Sequence, residues 1–266
     1  MRDLRDDRVL VVLHSVIADR SVISAAEQLV AGNAQFRFLR VVPRSLPFTT
    51  SLLREPPGAA PVRIVTASDD MATTILDLSR ELQITLLALG EPPGERSRAE
   101  KIRSVLSRVL IAGSAPVLYV PGTAKGARDN LRRILLVLHA PVPAMGLLAL
   151  AVPLARRCHA ELLILTLPSA APLILDHATE GGAPLPPFDA GAWIEREAAR
   201  IGCRIRPLPF EGKPAEAILE RAAALEVDLV IAGTGLAELR VGWRRRRLLD
   251  LLFPRMPCPL LLGRCA

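Results

Sequence analysis

A seven-residue, largely apolar segment occurs twice in this chain. RVLVVLH at Arg8–His14 returns as RILLVLH at Arg133–His139, 125 residues on, and Pro43 matches Pro168 at the same spacing. Further along the spacing widens: Ile75-Leu76-Asp77 matches Ile218-Leu219-Glu220, Gly90 matches Gly233, and Pro116 matches Pro259, each pair 143 apart. The second copy therefore carries 18 extra residues between Pro168 and the next shared segment. Self-similarity at this interval reads as two copies of one fold, residues 1–123 and residues 124–266. Whatever one copy does, the chain presents it twice or has divided it.

The apolar fraction of 50% and charged fraction of 23% give each copy enough material for its own core and exclude a disordered chain. Aromatic residues are only 3%, so base stacking of the kind single-strand binders use has little to draw on. The formal charge of +7, carried almost entirely by arginine, favours anionic partners: phosphates, acidic protein surfaces or anionic lipid. Cys158, Cys203, Cys258 and Cys265 all fall in the second copy, without zinc spacing or a C-x-x-C pair, and read as reduced core thiols of a cytoplasmic protein. The charged start MRDLRDDR does not read as a signal peptide. Ile134–Ala155 has the hydropathy of a membrane span. Its three prolines and the Asp19, Arg20 and Glu27 of its counterpart Val9–Val30 favour a buried strand followed by a core-facing helix. No transmembrane segment is expected.

Both copies alternate short apolar runs with helical periodicity. In the first, strands are expected at Val9–Leu13, Phe36–Val42, Val62–Thr66, Thr85–Leu89 and Val117–Val120, and helices at Ser21–Ala31, Ala72–Leu82 and Arg98–Ile111. In the second, strands are expected at Ile134–Leu138, Leu162–Leu167, Arg204–Leu208, Asp228–Ile231 and Leu260–Leu262. Helices there fall at Ala144–Arg157, Gly191–Ile201, Pro214–Leu225 and roughly Arg245–Leu252. This alternation calls for an α/β architecture, a parallel sheet with helices on both faces in each copy. The 18 extra residues match the Gly191–Ile201 helix and its lead-in, so the first copy lacks that helix and has the proline-rich loop Arg44–Ala60 instead. Ser169–Asp189 is a second long loop, of a kind often used as a lid or partner surface. Pro121–Asn130 reads as a flexible linker.

Glu211–Gly235, EGKPAEAILERAAALEVDLVIAGTG, resembles the universal stress protein family, in which a G-x-P-x-x-x-I-x-x-x-A segment precedes a DLIVMG-type strand. The matching pieces are Gly212, Pro214, Ile218, Ala222, Asp228-Leu229-Val230 and Gly233. Pro257–Leu262, PCPLLL, is similar to that family's last strand, and Ala115–Val120 is its first-copy echo. The resemblance implies two tandem doubly wound five-stranded sheets, with ligands bound outside the carboxyl ends of the strands at the switch point. In ATP-binding members a loop G-x-x-G-x9-G-[ST] after the fourth strand cradles the phosphates, since glycine lets backbone N–H groups approach them. An Asp after the first strand helps fix the nucleoside.

This chain departs from that pattern in both copies. The loop positions read Gly90, Pro93, Arg103, Ser104 in the first and Gly233, Leu236, Arg246, Arg247 in the second, and the Asp positions hold His14 and His139. Most of the backbone cradle is missing, so ATP binding in the family's usual manner is not expected and no cofactor is implied. Charge stands in its place: Arg244–Arg247 at the expected start of the last helix, and Arg96, Arg98, Lys101 and Arg103 in the matching stretch of the first copy. Cations there oppose the helix dipole, whereas an anion would meet both dipole and guanidinium forks. The candidate ligand-binding residues are thus His14, Gly90, Arg103, Ser104, His139, Gly233, Arg244, Arg246 and Arg247.

No metal-ligand spacing, nucleophile elbow or complete phosphate loop marks an enzyme. The leading expectation is a non-enzymatic regulatory or stress-response protein with degenerate nucleotide loops, acting through protein partners. One alternative is a sensor that binds ATP or another phosphorylated ligand through the arginine clusters. Another is a soluble accessory unit of a membrane transporter. Members of the family often pair through their last strands. Here Val117–Val120 and Leu260–Leu262 are expected to pair within one chain as a pseudo-dimer, hiding two sheet edges.

Overall fold

The ten apolar runs read as strands all join one sheet. The computed structural model describes residues 7–13, 16–30, 32–42, 62–91, 96–124, 130–139, 145–167, 202–233, 240–241 and 246–263. In the first half the strands are β1 (Arg8–Val12), β2 (Gln35–Val42), β3 (Val62–Ala67), β4 (Leu86–Gly90) and β5 (Val117–Val120). The helices α1 (Val16–Leu29), α2 (Met71–Glu81) and α3 (Arg96–Ala112) connect them. In the second half β6 (Arg133–His139), β7 (Glu161–Leu167), β8 (Ile205–Leu208), β9 (Leu229–Gly233) and β12 (Leu260–Gly263) alternate with α4 (Met145–Cys158), α5 (Pro214–Ala224) and the five-residue α6 (Leu248–Leu252). The spatial order is β3-β2-β1-β4-β5-β12-β9-β6-β7-β8. Every neighbouring pair is parallel except β5 and β12.

Strand pleat explains why one sheet supports two cores. Val9 and Val11 point to the face covered by α1 and α4, while Leu10 and Val12 point to the face covered by α2, α3, α5 and α6. Both cores run unbroken from the first half into the second. The segment with the hydropathy of a membrane span divides into β6 and α4. No helix among the described residues is long and apolar enough to cross a membrane.

The spacing of 125 does not persist through β2 and β7. Arg8 pairs with Gln35 and Arg133 with Glu161, so β2 and β7 correspond at a spacing of 126. Leu39 and Leu165 accordingly share one core, and Phe38 and Ile164 the other. A one-residue slip would exchange those faces. The buried helix positions Val22, Ala25, Ala26 and Leu29 match Ala151, Leu154, Ala155 and Cys158, a spacing of 129. Loops absorb these shifts, because only the strands and helices must keep their faces inward.

The last helix is shorter than its sequence suggests. Arg246 and Arg247 form a two-residue strand, β11, antiparallel to β10 (Arg240–Val241), and α6 begins only at Leu248. Pro254 then follows in a 3-10 turn, Phe253–Arg255, where proline cannot continue an α-helix. The Gly191–Ile201 helix, the loops Arg44–Ala60 and Ser169–Asp189, and the centre of the linker lie outside the described residues.

The two halves meet along β5 and β12, where Tyr119 faces Leu260, Leu118 faces Leu261, and Val117 faces Leu262. Around this seam the Tyr119 and Phe253 rings lie 4.7 Å apart, tilted by 55°. Thr123 Oγ1 donates to the Met256 carbonyl at 2.9 Å, and Arg157 donates to the Gln28 carbonyl at 2.9 Å. Truncating either ring to alanine should cost about 3–5 kcal/mol. In urea denaturation the double variant should fall short of the summed losses by about 1 kcal/mol. Additive losses would mean that the rings do not couple the halves.

Candidate functional site

Strand order reverses between β1 and β4 in the first half and between β6 and β9 in the second. Open α/β sheets form a crevice at such points, outside the carboxyl ends of the strands. Gly90 closes β4, Gly233 closes β9 and His139 closes β6. Val137 pairs with Ala232, which places the ends of β6 and β9 side by side. Among the predicted ligand-binding residues, the sheet thus brings Gly90, Gly233 and His139 to the crevices. Arg103 and Ser104 lie on α3, and Arg246 and Arg247 on β11. His14 and Arg244 are outside the described residues.

Gly90 is required for packing as well as for any backbone approach. A Cβ placed there would stand 2.2 Å from Val22 Cγ2 on α1, far inside contact distance. The glycine lets α1 lie directly on the end of β4. A glycine at this point is therefore not by itself the sign of a phosphate loop.

The next residue changes the character of the first crevice. Glu91 is the one buried charged residue among those described, with 6% of its surface exposed. Its backbone N–H donates to the Val120 carbonyl at 2.9 Å, which carries it along β5. Arg103 reaches from α3 and places Nε 2.5 Å from Glu91 Oε1. Burial works to lower the guanidinium pKa of Arg103, and the Glu91 carboxylate more than offsets it, so the net shift is upward. Arg103 is thus engaged by a carboxylate of its own chain at the position where a phosphate loop would begin. Sequence inspection missed Glu91, although its place directly after a buried strand and 12 residues before an arginine was visible.

Tyr119 completes this cluster from β5. Its hydroxyl sits 3.4 Å from the Phe253 carbonyl and beside the Glu91 carboxylate. Burial above all, then the negative charge of Glu91, drives its pKa far above the ordinary tyrosine value. Elsewhere on α3, Arg108 makes a two-pronged contact with Asp70, 2.8 and 2.9 Å, at the start of α2. That guanidinium, with the Thr73 N–H and hydroxyl, holds the Asp70 carboxyl well below the usual carboxylate range. Arg96 lies 3.8 Å from Glu100. The described arginines of α3 whose side chains are placed, Arg96, Arg103 and Arg108, all face carboxylates of the chain itself.

Two of the thiols, Cys203 and Cys258, are shifted away from reactivity. Burial pushes Cys258 up to about 12 and Cys203 upward as well, the latter opposed by Arg156; a reactive cysteine needs the opposite shift. Among the described residues no group of three or more His, Cys, Asp or Glu could hold a metal ion.

No protein-family model matches the chain, and no curated protein matches it by sequence. Solved structures do match in fold. A universal stress protein from Archaeoglobus fulgidus DSM 4304 aligns over 97% of this chain and 96% of its own, with a TM-score of 0.66 and 13% identity. A protein of unknown function from Pseudomonas aeruginosa PAO1 aligns over 97% and 92%, with a TM-score of 0.55 and 17% identity. The cytoplasmic domain of a prokaryotic cation chloride cotransporter aligns over 97% and 95%, with a TM-score of 0.55 and 14% identity.

Tyr119 is the only tyrosine of the chain, which makes its ionisation directly readable. A raised folded-state pKa contributes stability in full below the unfolded value of about 10 and loses it as pH rises above that value. Near-ultraviolet titration should show no tyrosinate in the folded protein at pH 11, and the absorbance change should coincide with unfolding. Ionisation near pH 10 with the fold intact would place the ring outside the Glu91–Phe253 environment. Sheet order, switch points and full-length alignment agree that this chain has the fold of the universal stress proteins.

Proposed function

We propose that this protein is a non-enzymatic regulator of the universal stress type, whose nucleotide crevices have been converted into structural elements and which acts through protein partners. The observation that carries this reading is the Glu91–Arg103 pair. A carboxylate buried at the mouth of the β4 crevice repels phosphate and neutralises the arginine best placed to receive it. The raised Tyr119 and Cys258 pKa values support the non-enzymatic reading, since a nucleophile or general base needs its proton to leave near neutral pH. Photolabelling with an azido-ATP in the presence of Mg²⁺, followed by peptide mapping, tests the proposal at the site itself. No label is expected on residues 86–104 or 229–247. Specific labelling of either segment, competed by ATP, would overturn it.

A second reading is favoured by one comparison. The cotransporter cytoplasmic domain matches this chain from end to end rather than over one half. On that basis the chain is an accessory unit that docks on the cytoplasmic side of a membrane transporter. Its positive charge would then favour contact with anionic lipid or an acidic transporter surface, weakened by salt. Membrane vesicles from the source cells should retain the protein at low ionic strength and release it at high ionic strength. Equal retention by protein-stripped vesicles would assign the contact to lipid and remove the transporter from the reading.

A further inference from the structure

The largest concentration of unpaired positive charge among the described residues lies at the opposite ends of the strands from the crevices. A cleft of about 490 Å³ opens at the amino-terminal ends of β6, β7 and β8, walled by Arg132, Arg133, Arg156, Arg204, His159 and Glu161. Glu161 is its one carboxylate, and it is engaged: Arg206 Nε lies 3.0 Å from Oε1 and Arg133 Nε 4.0 Å from Oε2. Arg133 also donates to the Leu225 carbonyl at 2.8 Å. The nearby Asp228 Oδ2 accepts the backbone N–H groups of Arg132 and Arg133 at 2.8 and 3.0 Å. Among the described residues no carboxylate pairs with the guanidinium of Arg132, Arg156 or Arg204.

The three arginines come from three separate elements: the residue before β6, the last turn of α4, and the residue before β8. They converge on a hollow instead of forming a stripe along one helix. The chain beside them is left-handed at two residues. Gly202 has φ +65°, and a Cβ there would lie 3.7 Å from Arg156 Nε and Nη2, so the guanidinium lies across the glycine. His159, also on the wall, adopts φ 53°, a left-handed conformation that glycine would take with less strain.

The repeat supplies an internal control for whether the fold itself needs this charge. At the 125 spacing of β1 and β6, Arg132 corresponds to Asp7, and at the 129 spacing of the two helices Arg156 corresponds to Glu27. The first half therefore builds the same strand start and the same helix end with carboxylates. A helix C-terminus does favour cations, yet the last turn of α1 has none while that of α4 carries Arg156 and Arg157. At the strand start the partner changes with the sign, since Asp7 Oδ1 accepts from the Thr85 hydroxyl at 3.3 Å while Asp228, the counterpart of Thr85, accepts the Arg132 N–H at 2.8 Å. The exposed helix end, Glu27 against Arg156, changes sign on the surface. We propose that this cleft binds a compact phosphate-rich anion, a diphosphate or triphosphate group, through Arg132, Arg156 and Arg204. Guanidinium forks match phosphate oxygens in pairs, and three of them around one concavity fit a multiply charged small group. The site is peculiar to the second half, separate from both strand-end crevices, and rests on no part of the function proposed above.

Calorimetric titration of the full chain with inorganic pyrophosphate and tripolyphosphate, in chloride buffer of fixed ionic strength, tests this directly. Tripolyphosphate should bind with one site per chain and more tightly than pyrophosphate. The single variants Arg132→Gln, Arg156→Gln and Arg204→Gln should each weaken binding by roughly tenfold, whereas the control Arg96→Gln/Arg255→Gln should leave it unchanged. Thermal melts of the single variants keep loss of binding distinct from loss of folding. Absence of heat with both probes, or equal weakening in the control, would overturn the proposal. Tighter, length-dependent binding of single-stranded DNA through the same arginines would overturn it too, by showing an extended polyanion surface instead of a small-anion site.

Discussion

The antiparallel pairing of β5 with β12 is the contact on which the remainder of the molecule depends. Each of these strands is apolar along its whole length and buried throughout. A strand of that kind needs cover on both faces and a hydrogen-bonding neighbour on both edges. Within its own half each has a parallel neighbour on only one edge, β4 or β9. Joining them satisfies both free edges at once and turns two five-stranded sheets into one of ten strands. The two cores then cross the seam without a break, so the halves share a hydrophobic interior as well as a linker. The edges left to the whole sheet are β3 and β8. Pro207 in β8 lacks an N–H donor, which makes that edge a poor template for another chain.

The seam also reaches the first crevice. Tyr119 lies in β5 and meets Phe253 from the second half, while on its other side it meets Glu91 and, through it, Arg103. Ion pair and ring contact therefore form one connected group reaching from α3 across the centre of the sheet. Removing one partner from such a pair leaves a buried charge uncompensated. A phosphate arriving at β4 would have to displace the Glu91 carboxylate from Arg103 and disturb the packing that joins the halves. At the end of β4 the Glu91–Arg103 pair is therefore tied into the packing that joins the halves.

Much of this architecture was legible in the sequence, because strands buried on both faces are written as uninterrupted apolar runs and the repeat doubled the evidence for each. The pairing of Val117–Val120 with Leu260–Leu262 needed the family resemblance as well, because an apolar run does not name its neighbour. Register was harder. The matched prolines Pro43 and Pro168 suggested a constant spacing, whereas the faces of Leu39 and Leu165 require one residue more. A loop insertion leaves no periodic trace, so only strand pairing reveals it. The start of α6 was misplaced because Arg244–Arg247 has good helix propensity, and the pairing of β11 with β10 overrides it. Within the candidate site the glycines and His139 were legible from motif spacing. Glu91 was not, since burial of a charged side chain depends on its partners, and those come from α3 and β5.

Comparison of the two copies separates what the fold demands from what it merely permits. Positions that keep their character in both halves are the buried strand residues and the glycine that ends the fourth strand, where Gly90 must admit Val22. Two positions change sign: Glu27 against Arg156, both exposed, and the half-buried Asp7 against the exposed Arg132. A solvated charge contributes little to stability by itself, so packing leaves the exposed helix-end position open to either sign, whereas Asp7 answers to the Thr85 hydroxyl. The first copy meets its half-buried Arg103 with a carboxylate from within the chain, and the second has three exposed arginines without a described carboxylate partner. The two halves thus share a fold and differ in how their charge is satisfied.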